Sequence, residues 1–154
     1  YVIYNDMDKV KNIDKYKNII INTCFSFFII IMVVFYRFNI IKNFTDKVLG
    51  FLAIICSSIV LFAKNNSLLD LSHFIYTVPY LFGVTFFSYN KYLLLLNVIM
   101  LFNIISTRYY YDSCILNEKQ NNQGFFTDIS GYLNINWDYV FPILFFVSLV
   151  KLLN

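Results

Sequence analysis

Charge is the first thing this sequence is short of. Asp, Glu, Lys and Arg make up 14% of its 154 residues, against about 25% in an ordinary soluble domain. None of the nine acidic residues falls in the middle of an apolar run. A proton or cation carrier that works alone needs ionisable groups at depth, so that class is disfavoured. The basic residues are scattered, and the net charge is only +3. No Lys/Arg stripe is available to follow a phosphate backbone, so nucleic acid is not an expected partner.

Ligating and nucleophilic residues are equally scarce. His73 is the one histidine. It cannot by itself supply a bis-histidine haem or the histidines of a zinc site. Cys24, Cys56 and Cys114 are far apart and form no C-x-x-C, which argues against a disulfide scaffold or a zinc knuckle. Cys114 with Glu118 has the i,i+4 spacing of a thiol and a base, but no glycine elbow or oxyanion-hole pattern accompanies it. No P-loop, dinucleotide fingerprint, H-E-x-x-H or potassium-filter motif occurs, and TVPYLFGV at 77–84 is not a filter. No cofactor is expected beyond bound lipid.

Glycine (4) and proline (2) are few, and alanine occurs only at Ala53 and Ala63. These residues have G/C-rich codons. The abundant Ile, Phe, Tyr, Asn and Lys have A/T-rich ones, so an AT-biased genome is expected: an organelle, a protist or a large DNA virus. The chain opens on Tyr1, so loss of an initiator Met or of a longer N-terminal part is also expected.

What the chain has is apolar length. Hydrophobic residues reach 59%, aromatics 21%, and mean hydropathy is +0.63. From Asn18 to Tyr36 no charge occurs, about the length that crosses a ~30 Å hydrocarbon layer as a helix. Lys17 and Arg37 bracket it and can snorkel to headgroups. A helix apolar on every face needs lipid or a core wrapped round it. No small-residue cleavage site follows, so a cleavable signal peptide is not expected.

Four more segments follow, giving expected spans at 18–36, 48–63, 71–90, 92–111 and 138–153. The fold class expected is all-α, a multi-pass membrane bundle of five helices. The last segment is short, so four spans plus a re-entrant piece is the alternative. Residues 1–17 precede the bundle as an amphipathic interfacial helix or a solvated tail. Thr45 or Asp46 can cap the second helix and Asp138 the fifth. Ser57 and Ser58 can bond to a carbonyl one turn back. Pro79 should kink the third helix, and Gly83 one turn later permits close approach of a neighbour. Residues 117–137 form the one sizeable polar stretch, ending at an interfacial Trp137 and Tyr139. With five spans, seven of the twelve basic residues fall on the N-terminal side and five on the other, which places the N-terminus inside.

Candidate chemistry concentrates at the end of the fourth span. Asn97, Ile104, Arg108 and Tyr111 lie within about 40° of one helix line. Asp112 is four residues after Arg108 and can pair with it. Arg108, Asp112, Asn97, Tyr111 and His73 are therefore the candidate ligand or anion residues. A snorkelling anchor at the headgroups explains Arg108 equally simply. His73, at the start of the third span, suits a hydrogen-bonding role.

The function expected is that of a structural or accessory subunit in a larger membrane assembly, an organellar respiratory-type complex or a viral membrane, with no catalysis of its own. Its partners would be the bilayer and other membrane subunits. One alternative is a small anion channel or transporter bending at Pro79/Gly83 with Arg108 as selector. The other is a lipid-modifying membrane enzyme using His73, Asp112 or Glu118.

Overall fold

The computed structural model describes residues 2–63, 65–111, 132–133 and 135–154, with the side chains of residues 2–15, 17 and 111 outside the described set. The described residues form five helical rods and no strand. The first is α1 (Val2–Arg37) and the second α2 (Phe44–Phe62). The third is assembled from α3 (Asn66–Ile75), a π-helical stretch (Tyr76–Phe82) and α4 (Gly83–Phe87). The fourth is α5 (Lys91–Tyr111) and the fifth α6 (Trp137–Leu153). Three helical segments are long and apolar enough to cross a membrane: Asn18–Arg37, Phe44–Phe62 and Lys91–Tyr110.

The helix ends differ from sequence expectation in informative ways. The backbone is helical from Val2 straight into the apolar run, so the N-terminal segment and that run form one continuous helix. α1 stops at Asn39, whose φ of 53° is left-handed. The Ile40 amide then donates to the Phe35 carbonyl at 2.9 Å, a Schellman-type closure in which Asn stands in for Gly. We expect Asn39→Gly to be tolerated and Asn39→Val to cost about 1–2 kcal/mol in thermal unfolding in mild detergent. Equal stability of the two variants would mean that this turn relaxes.

α2 begins after Asn43, which makes no side-chain cap, and Asp46 is buried in its first turn instead of capping. The caps of the third and fifth rods are Asn65, which accepts from the Ser67 amide, and Asn136, which accepts from the Asp138 amide at 3.0 Å. Asp138 is therefore a first-turn residue. Ser58 bonds back to the Ile54 carbonyl at 2.8 Å as expected.

The proline in the third rod acts through winding. Pro79 has no N–H for the Ile75 carbonyl, and its ring would crowd that group in an α-helix. The chain widens into a π-helix from Tyr76 to Phe82, which relieves the clash. A Cβ on Gly83 would lie 2.6 Å from Leu49 Cδ2, so the glycine lets α2 come close.

α1 lies on α2, α2 on the third rod, and α5 on α6, with α4 wedged against both α5 and α6. The centre is aromatic. Phe25 meets Tyr76 edge-on at 5.6 Å, Phe28 meets Tyr80 at 5.6 Å, and the two tyrosine rings are 5.1 Å apart. Edge-to-face geometry at these distances contributes beyond area burial. The outer surface is also apolar along the rods. Phe27 is 63% exposed, Phe51 59%, Phe102 59% and Phe146 67%.

Candidate functional site

Polar groups in a bundle this apolar must find one another or remain unsatisfied. Three of them meet where α4, α5 and α6 converge. Asn97 Nδ2 donates to Thr85 Oγ1 at 2.9 Å and to Ser148 Oγ at 3.0 Å. The two hydroxyls lie 2.9 Å apart, and Thr85 also bonds back to the Leu81 carbonyl at 2.7 Å. All three side chains are fully buried. One amide thus holds three helices together, with only Asn97 Oδ1 lacking a partner.

One helical turn beyond, Lys151 reaches from α6 to the end of α4. Its Nζ donates to the carbonyls of Thr85 at 2.9 Å, Phe86 at 3.3 Å and Ser88 at 2.7 Å, and lies 4.6 Å over the Tyr89 ring. At the same end Asn90 Nδ2 donates to the Ile40 carbonyl at 3.0 Å, and the Tyr36 hydroxyl donates to the Lys47 carbonyl. This end of the bundle is stitched by side chain to backbone contacts across loops.

The opposite end carries Arg108. Its Nε is 2.9 Å, and its terminal nitrogen 2.8 Å, from Oδ1 of Asp138 on α6. The guanidinium also lies 5.9 Å from the Phe141 ring centre. Arg108, Asp138, Trp137 and Tyr109 line a cleft of about 350 Å³. The ion pair neutralises the cation proposed from sequence as an anion selector. Asp112, its expected partner, lies outside the described residues, as do Cys114, Glu118 and the side chain of Tyr111.

Phe141 also walls a second, apolar crevice of about 70 Å³ between α1, the third rod, α5 and α6. His73, Cys24, Tyr76 and Thr77 line it. His73 is buried at 5% exposure. The hydroxyls of Tyr76 and Tyr80 are buried and have no hydrogen-bond partner among the described residues. An orphaned hydroxyl costs about 1–3 kcal/mol. We therefore expect Tyr80→Phe to raise stability by about 1 kcal/mol. Destabilisation by this change, measured as an unfolding shift in detergent, would show that the hydroxyl is bonded to internal water.

The candidate residues of the sequence are thus dispersed. Asn97 and Arg108 share α5 but are about 16 Å apart along its axis, each with a different partner. His73 faces the crevice, with Arg108 on the far side of Phe141. Thr85, Ser148 and Lys151 carry interactions and did not stand out, and Asp138, expected as a cap, is the partner of Arg108. The available signal was a hydroxyl within each of two apolar runs, VTFF and FVSLV, which match the Asn in LLLLNVIM. Among the described residues, no three of His, Cys, Asp and Glu come together to hold a metal ion.

No protein-family model, curated protein or solved structure matches this chain.

Proposed function

We propose that the chain is a multi-pass integral membrane protein serving as a structural or accessory subunit of a larger membrane assembly. The observation that carries the reading is the division of side chains. Large Phe and Ile residues face outward along α2, α5 and α6, while Asn97, Thr85 and Ser148 are turned inward and bonded to one another. A bilayer rewards that division, because lipid offers polar groups no partners. α6, at 17 residues, is only about 26 Å long, and Trp137 with the Lys151 clamp would set its depth. The Lys/Arg distribution favours an N-terminus inside, and the AT-rich codon pattern favours a mitochondrial inner membrane or a viral one.

The subunit reading is supported by where the polar groups are spent. Asn97, Lys151 and Arg108 each hold helices to one another. Residues committed to joints suit a scaffold better than a reaction.

The test has two parts. The protein should stay in the pellet after alkaline carbonate washing, and should co-purify with other membrane proteins in mild detergent at fixed stoichiometry. Arg108→Ala should lower assembly and expression more than Cys114→Ala does, because Arg108 pairs with Asp138 across α5 and α6. Equal loss of a measured turnover from both changes would sink the accessory reading in favour of catalysis.

A further inference from the structure

The outward faces of α2 and α6 are apolar along their middles, but that of α1 is not. Ile19, Thr23, Ser26, Ile30 and Val33 recur at alternating intervals of four and three, and all are exposed. This is a heptad seam. Asn22, also exposed, flanks it. Among the described residues, Asn22, Thr23 and Ser26 make no side-chain hydrogen bond and are exposed, whereas Ser58, Thr85, Asn97, Thr107 and Ser148 are bonded and the unbonded Ser57 hydroxyl is buried inside the bundle. Ser26 lies within about 3 Å, and Asn22 within about 9 Å, of the midpoint of Asn18–Arg37 along the axis. In a bilayer these groups would face hydrocarbon, where an exposed amide has nothing to bond.

We propose that α1 pairs in parallel with α1 of a second copy of this chain, burying Thr23 and Ser26 at a two-fold seam. The proposal rests on the membrane reading above. An amide carries both donor and acceptor, and a hydroxyl does the same, so the strip is complementary to itself. All copies insert in one orientation, so equal depths meet, as a two-fold interface requires. Small Thr23 and Ser26 at the centre let the backbones approach, and Ile19, Ile30 and Val33 extend the contact to either side.

The test uses the full chain with Cys24, Cys56 and Cys114 replaced by alanine, reconstituted in phosphatidylcholine vesicles and first washed with carbonate. Single cysteines are placed at Thr23, Ser26 and Ile30, and, as controls on another outward face, at Ile99 and Phe102. Mild oxidation should give disulfide dimers at the three α1 positions and not at the controls. Adding Asn22→Leu with Thr23→Val should cut the Ser26→Cys dimer by about tenfold with the unfolding temperature retained. Retention in the pellet with no dimer, or with dimers at every position alike, overturns the α1 pairing and leaves the membrane reading standing; this is also the outcome if another protein covers the face. Loss from the pellet overturns both.

Discussion

Asn97→Asp is expected to destabilise the bundle by about 3–5 kcal/mol at neutral pH, the cost of an uncompensated charge in a dry interior. Asn97→Ala should cost only about 1–2 kcal/mol. The alanine variant loses two hydrogen bonds and opens a small cavity, but Thr85 and Ser148 remain 2.9 Å apart and keep each other satisfied. The aspartate variant keeps the volume and loses the donor. Both hydroxyls would then have to reorient toward one carboxylate, and Thr85 would give up its bond to the Leu81 carbonyl. Lys151, one helical turn away, is already bonded to the carbonyls of Thr85, Phe86 and Ser88, so pairing with the new carboxylate would cost it those bonds. Denaturant titration in mild detergent at pH 7 ranks the variants. If aspartate proves no worse than alanine, water reaches the junction of α4, α5 and α6, and the node is not what fixes their packing.

The helices were legible because the sequence writes them in apolar length. The spans expected at 48–63, 92–111 and 138–153 correspond to α2, α5 and α6 to within a few residues. The third was expected at 71–90 and runs from Asn66 to Phe87. It starts earlier because Asn65 caps it. Pro79 announced an irregularity, but not the π-helical winding that the chain takes from Tyr76 to Phe82.

The contacts between helices were not legible. Asp112 is the partner that local spacing offers Arg108, while Asp138, 30 residues on, is the one the fold supplies. Thr85 and Ser148 are 63 residues apart. Nothing in a period of 3.6 reveals which polar residues on separate helices share a height. Asn97 stood out in the sequence as a candidate ligand or anion residue, and the structure gives it hydrogen bonds to Thr85 and Ser148. Its companions could have been found by asking which other apolar runs carry one stranded hydroxyl.

Lys151→Met is the second change expected to matter most, at about 2–3 kcal/mol. α4 is a short helix, and the chain leaves it at Ser88 with extended dihedrals. The carbonyls of Thr85 and Phe86 are therefore among the last of the helix and have no amide ahead of them. They also carry the negative end of the helix dipole. The Lys151 ammonium has three N–H groups and meets three carbonyls, so one side chain answers both needs and joins α6 to α4. Methionine keeps the aliphatic stem and its packing, which isolates the charge and its bonds. Lys151→Arg should fall between, because a planar fork does not converge on three oxygens as an ammonium does. Asp46, buried and with its Oδ1 unpartnered among the described residues, acts electrostatically on the same charge. Removing Lys151 strands that carboxylate too. Asp46→Asn should therefore recover about 1 kcal/mol in the Lys151→Met background and lose stability in the wild type. A double-mutant cycle by denaturant titration measures this coupling. A value near zero would separate the two groups, and the clamp on α4 would then act alone.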